Sequence, residues 1–365
     1  MLVVNKTMIA RVREARDATD VIAALEGAVQ LELSTLPPYL TGVFSLQPGA
    51  NDEARVLVQA VVVEEMLHMA LAANTAVALG GNPPIRKLGL ALNYPGPLPM
   101  SIDPELTVSL GSLTTAQLKN VFMAIERPDT TAVLPGEDPK IAQRIAENKA
   151  KGYGSIGDFY NAVIESLERL VQSGQDPFGD PRLERQLDLS RWFPSSVPGD
   201  PTCRVRDLAS AEAALRTIIR QGEGANVGQD PINPHAGGNE MAHYFKFGEI
   251  AFGHRLVADK SAPSGWSYTG APVPLDASRV HRFPENARLS DYSPTSAAGF
   301  TGGAFYDAYL RLLDALEATW NGRPEMFNSA LGIMFELKLV AQQVVQHLVD
   351  PANPDGPTAA PPFQP

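Results

Sequence analysis

Val21, Leu25, Val29 and Leu36 recur at the spacing of one helix face, and an acid, Glu32, falls inside their stripe. The pattern repeats further along the chain. Val61, His68, Ala72 and Leu79 share a stripe with Glu65, while Phe247, Ala251 and His254 line up with Glu240 and His243. Glu249 points the other way and is expected to be solvated. A carboxylate buried alone is expensive, and it either takes up a proton or acquires a positive partner. These stripes offer no Lys or Arg, so a divalent metal is the candidate partner.

Two short strings sharpen that reading. "EEMLHM" contains Glu65-x-x-His68, and "GNEMAHYF" contains Glu240-x-x-His243. Residues three apart on a helix project from one face, so each pair can hold an ion. Six histidines and 41 acids yield roughly 0.7 such pairs by chance, so position in the apolar stripe decides more than the count. "TIIRQGEG" adds Glu223 at the edge of another stripe, one helix before Glu240. The set Glu32, Glu65/His68, Glu223, Glu240/His243 is the ligand pattern of a two-metal carboxylate site inside a four-helix bundle. Four carboxylates and two imidazoles suit two Fe ions, or Mn, better than zinc. Tyr39, Tyr160 and Tyr244 are candidates to orient a substrate or relay a proton, against the plain alternative of aromatic packing. His254 and His347 read as hydrogen-bonded core residues, and His235 and His281 as exposed loop residues.

The stretch "QLELSTLPPYLTG" then poses a geometric question. Glu65 lies about 13 residues into its helix, roughly 20 Å at 1.5 Å per residue, whereas Glu32 would stand one turn from Leu36. The two come level only if the helix continues, bent, through Pro37 and Pro38 into "YLTGVFSL". Extended chain from Pro37 onward would break the pairing.

The 365 residues are 44% hydrophobic and 19% charged, the composition of a folded domain with a sizeable core. A net charge of −11 without a basic stripe argues against nucleic acid as a partner. One cysteine, Cys203, excludes an intramolecular disulfide and a cysteine metal cluster. No long apolar leader or membrane-length apolar run stands out, so a cytoplasmic protein without a membrane partner is expected. One elaborated all-α domain over 1–365 is expected. Its core helices are placed at about 20–46, 51–79, 205–223 and 238–257, with an insertion at 81–204 and a helical extension at 301–350. "GWSYTGAPVPL" reads as a hairpin within the loop at 259–300.

The stretches "LELSTLPPYLTGVFSL", "EEMLHMALAANTAVALGGNPPI", "FMAIERP", "GSIGDFYNAV", "IIRQGEG" and "NEMAHYFKFGEI" together resemble one family. It is the ferritin-like domain associated with iminophenyl-pyruvate dimer synthase, the type found in violacein-like bisindole pigment pathways. The resemblance covers about residues 20–257, and the closing "PTAAPPFQP" is similar to the family's ending. It implies a ferritin-like four-helix bundle, here with long loop insertions and extra C-terminal helices, holding a metal or redox site. The expected activity is a dimetal, di-iron oxidase or oxygenase using O2 on a small organic substrate, amino-acid-derived ones included. Iron binding with ferroxidase activity, or a non-catalytic module, are the alternatives, and the sequence leaves a homo-oligomer open.

Overall fold

The computed structural model describes residues 6–101, 106–128, 130–151, 154–193, 202–223, 232–233 and 240–365. The chain opens with α1 (Lys6–Arg13), then two 27-residue helices, α2 (Ala18–Phe44) and α3 (Asp52–Ala78). The short α4 (Ile85–Leu90) precedes a helical segment made of α5 (Thr115–Gln117), a π turn at Leu118–Phe122, and α6 (Met123–Ile125). Next come α7 (Pro139–Ala150), α8 (Ile156–Gln172) and α9 (Leu208–Glu223). Strands β1 (Ile232–Asn233) and β2 (Glu240–Met241) pair antiparallel ahead of α10 (His243–Phe252). A second antiparallel pair joins β3 (His254–Ala258) to β4 (Trp266–Pro272), and α11 (Ala297–Trp320) and α12 (Phe327–Val344) follow.

Local chemistry sets these boundaries. Asp17 caps α2 by accepting from the amides of Thr19 and Asp20, and Ser155 with Asp158 forms a capping box on α8. Gly253, at φ 74°, stops α10 in the left-handed conformation that glycine adopts without strain. The sequence reading ran this helix from 238 to 257. The structure instead starts it at His243 and places His254 in β3, exposed to solvent, with Nδ1 3.0 Å from the Gly270 carbonyl. The stretch "GWSYTGAPVPL", expected to form a hairpin by itself, instead supplies the single strand β4, whose partner β3 comes from residues 254–258.

Pro37 and Pro38 lie inside α2, which continues for six residues past them. Pro38 has no N–H to offer the carbonyl of Ser34, four residues back. The Tyr94 hydroxyl donates to that carbonyl at 2.7 Å, replacing the missing rung. Gln364 in turn accepts from the Tyr94 amide and donates to its carbonyl, so the chain end helps seat this tyrosine.

Four helices close into a ring: α2 on α3, α3 on α9, α9 on α8, and α8 back on α2. The sequence reading placed residues 156–172 in the insertion. Phe159, Val163, Leu167 and Leu170 are buried, and α8 forms a wall of the bundle. The segment α5–α6 and α10 pack together beside the ring, and Phe122 and Phe247 hold them against Tyr39 of α2. On the far side of α2 and α3, α11 and α12 pack as a pair, and the four helices line an apolar cavity of about 850 Å³ that opens to solvent. The helix α3 is long and apolar enough to cross a membrane; 61% of its most apolar stretch is buried inside the fold.

Candidate metal centre

Burial makes the interior acids conspicuous. Glu32 on α2 is 5% exposed, Glu65 on α3 is 3% exposed, and the Glu126 side chain, just past α6, is buried beside them. Burying Leu25 or Val29 gains about 1.5–3 kcal/mol each. An uncompensated buried carboxylate costs several kcal/mol, so apolar packing alone does not offset three of them. Their compensation comes from two imidazoles, His68 on α3 and His243 at the first position of α10.

The groups form two triads that share one acid. Glu32, Glu65 and His68 offer ligand atoms within 4.8 Å of one another, and so do Glu65, Glu126 and His243. His68 Nδ1 lies 3.8 Å from Glu32 and 3.4 Å from Glu65. His243 Nδ1 lies 2.9 Å from Glu65 and 3.2 Å from Glu126. The two rings stack at 5.5 Å. Each imidazole turns its outer nitrogen away from the three triad acids. His68 Nε2 is 2.9 Å from the Gln221 amide oxygen, and His243 Nε2 is 2.6 Å from Glu64 Oε2. Metal-bound histidines are held this way, with one nitrogen on the ion and the other donating outward. Tyr160 donates to Glu32 at 2.5 Å and Tyr39 to Glu126 at 2.5 Å. The Thr35 hydroxyl stands 2.9 Å from Glu65 and 2.8 Å from the Glu32 carbonyl.

Protons balance this cluster in the metal-free state. Burial, helped by the Glu65 charge, pushes Glu32 up to about 7 and raises Glu126 as well. Burial would also raise Glu65, but hydrogen bonds from His243 and His68 outweigh it and hold Glu65 well below the usual carboxylate range. Burial would lower both histidines. For His68, hydrogen bonds to Glu32 and Glu65 prevail and raise it to about 10. For His243, the Glu126 charge and contacts to Glu126, Glu64 and Glu65 raise it far above its ordinary value. Two imidazolium charges therefore stand where divalent cations would complete the donor set. Three buried carboxylates and two imidazoles, with Glu65 common to both triads, are a donor set that fits hard or borderline divalent metal.

The residues expected from sequence are distributed unevenly. Glu32, Glu65, His68 and His243 come together in the two triads. Glu223 ends α9 and Glu240 lies in β2, but both side chains fall outside the described residues. Since α10 begins at His243, Glu240 and His243 do not share a helix face, which corrects the premise of that pairing. Tyr39 and Tyr160 touch the cluster; Tyr244 stands edge-on to Phe245, with Glu137 and Arg127 as its charged neighbours. His235 lies outside the described residues, and His281 and His347 are half-buried. Glu249 is 3% exposed and paired with Arg255 at 2.5 Å, not solvated.

Sequence reasoning passed over Glu126, Glu64, Lys246 and Gln221. The buried Lys246 corrects the expectation of stripes without a cation. Its ammonium lies 2.7 Å from both Glu64 oxygens, so its charge serves Glu64 and not the triads. The signal for Glu126 was an acid ending the apolar helical run "FMAIE", beside an arginine that could have served as its partner. Arg127 is in fact engaged with Glu137.

A cavity of about 50 Å³ opens on the cluster between Glu32, Glu65, His68 and Glu126. The first residues of α8 and the last turn of α9 form its outer walls. This is room for a few water-sized molecules.

Fold and site together define a helical bundle that carries a buried carboxylate–histidine cluster able to hold metal. The ferritin-like family pattern matches residues 25–252, more than half of the chain, and the chain belongs to that family. It is 25% identical, over 95% of its length, to dichlorochromopyrrolate synthase of Lentzea aerocolonigenes. It spans 36% of that protein. The structure of a ferritin-like protein from Caulobacter vibrioides shares the fold at a TM-score of 0.54 and 20% identity, covering 88% of this chain and 95% of that one.

Proposed function

We propose that this protein is a dimetal-carboxylate enzyme, with iron as the first choice and manganese the second. It acts as an oxidase or oxygenase on a small organic substrate, amino-acid-derived compounds included. The observation that carries this reading is the pair of triads joined through Glu65. Similarity to a protein named dichlorochromopyrrolate synthase supports small-molecule chemistry. When bound, two such ions supply redox chemistry with dioxygen in a site shielded from bulk water.

The protein's own groups have definable tasks. Glu65 would serve both metal positions, with Glu32 and His68 completing one and Glu126 and His243 the other. Tyr160 and Tyr39 fix those two acids through short hydrogen bonds and can pass a proton to the carboxylate each one touches. Gln221 and Glu64 set the ring orientation of His68 and His243. The cavity wall at Ser155, Ile156, Ile218 and Ile219 limits what reaches the acids.

Metal analysis of protein from a native-like host, followed by oxygen-electrode screening with indole, imine and amino-acid substrates, tests the proposal. The expected result is about two Fe or Mn per chain and substrate-dependent oxygen consumption. Oxidation of Fe(II) with no organic turnover would favour ferroxidase activity instead. Protein that holds no metal and gains no stability from Fe(II) would overturn the reading.

A further inference from the structure

The two triads have similar ligands but different surroundings, and the difference lies in two independent observations. The first is what stands behind each imidazole. His243 donates Nε2–H to a carboxylate, Glu64 at 2.6 Å, which Lys246 holds through both oxygens. His68 donates to a neutral amide oxygen, that of Gln221 at 2.9 Å. A carboxylate acceptor leaves the inner nitrogen more electron-rich than an amide does, and so a stronger ligand. Lys246 reduces that effect but leaves the negative end of the pair against the ring.

The second observation is access. The cavity touches Glu32, Glu65 and His68, and on the other side only Glu126; His243 and Glu64 do not line it. Beyond Glu126, whose carboxylate accepts from Tyr39, that tyrosine ring packs with Phe122 and Phe247 at 4.7–5.1 Å. The cavity reaches all three donors of one triad and two of the other, so the His243 position, with its stronger donor, is the better placed to retain an ion, and the His68 position keeps more room for an exchangeable ligand.

Resting on the dimetal reading above, we infer that the two metal positions are inequivalent. The Glu65–Glu126–His243 position fills first and holds its divalent ion tightly through Glu64. The Glu32–Glu65–His68 position fills second, exchanges readily, and is the one that small molecules in the cavity meet. Glu64 and Gln221 are thus positioning residues for different ions.

Titration of the metal-free full chain with Mn(II), following free Mn(II) by electron paramagnetic resonance, tests this. Two steps of unequal affinity are expected. Glu64→Gln should weaken the first step by about 10–100-fold and leave the second in place, while Gln221→Ala should weaken the second step alone. The double variant Glu64→Gln/Lys246→Gln removes both charges together, so it should fold normally and show the same loss. Two equal steps in the wild type, or both variants weakening the same step, would overturn the inequivalence while leaving the dimetal reading intact. No Mn(II) binding by the wild type would overturn that reading, and the inference with it.

Discussion

The helices α2 and α3 present two faces with opposite characters. One carries Glu32, Thr35, Tyr39, Glu65 and His68, all buried and all tied into a polar network. The other carries Leu33, Leu36, Leu40, Val62, Met66 and Met69 toward α11, α12 and the apolar cavity. Neighbours in sequence separate cleanly: His68 faces the acids and Met69 the cavity. The polar face is therefore positioned by the apolar one. An ordinary core seats the helices, and the cluster is held in place at a cost in desolvation.

Substitution at these neighbours is the strongest way to break that comparison. If the proposed dimetal reading holds, Glu65→Ala should abolish metal binding altogether, since Glu65 belongs to both triads. His68→Ala should empty one position and leave the other filled. Met69→Ala, one residue away, should leave metal content unchanged and lower stability by about 2–5 kcal/mol through the cavity it leaves. Metal content by elemental analysis and urea unfolding of the same samples check all three. A Met69→Ala protein that loses metal while remaining folded would show that the faces are not separable.

How much of this was legible in the sequence follows from the same contrast. Glu32, Glu65 and His68 could be read because each interrupts a long apolar stripe on a helix of 27 residues. The passage of α2 through Pro37 and Pro38 could be read because only a continuous helix brings the acids level. Glu126 was not legible in that way. Its helical segment is short and broken by a π turn, so no periodic stripe frames it. Glu64 was hidden by standing beside Glu65. The role of α8 was hidden by distance along the chain, since its amphipathic pattern says that it packs but not on what.

Proton balance gives a smaller effect that sharpens the comparison. In metal-free protein, Glu32 sits at about 7 against an ordinary 4.5, and His68 at about 10 against 6.5. Each binds its proton more tightly in the folded state. Each therefore contributes fully below its ordinary value and loses that contribution as pH rises through the raised one. The windows are 4.5 to about 7 for Glu32 and 6.5 to about 10 for His68. Glu65 has the opposite sign: its contribution is present above 4.5 and is lost as pH falls below that. The metal-free protein should therefore melt at a lower temperature near pH 9 than near pH 6. Saturating Mn(II) should reverse the order, because the ligands must be deprotonated to bind. A metal-free melting temperature that does not fall between these two conditions would show that the cluster is not held together by protons.

The smallest effect concerns the point where both faces depend on one repair. Ser34 lies two residues from Glu32, and its carbonyl loses its helical partner to Pro38. The Tyr94 hydroxyl replaces that partner from outside the helix. Tyr94→Phe keeps the ring and removes the donor, leaving a buried acceptor unpaired at a cost of about 1–3 kcal/mol. Pro38→Ala restores an N–H four residues beyond Ser34, so the same Tyr94→Phe change made in that background should cost less. The difference between the two costs, read by urea unfolding in a double-mutant cycle, isolates the repair. Equal costs in both backgrounds would mean that Tyr94 contributes packing alone. In that case α2 tolerates its prolines for a reason other than this hydrogen bond.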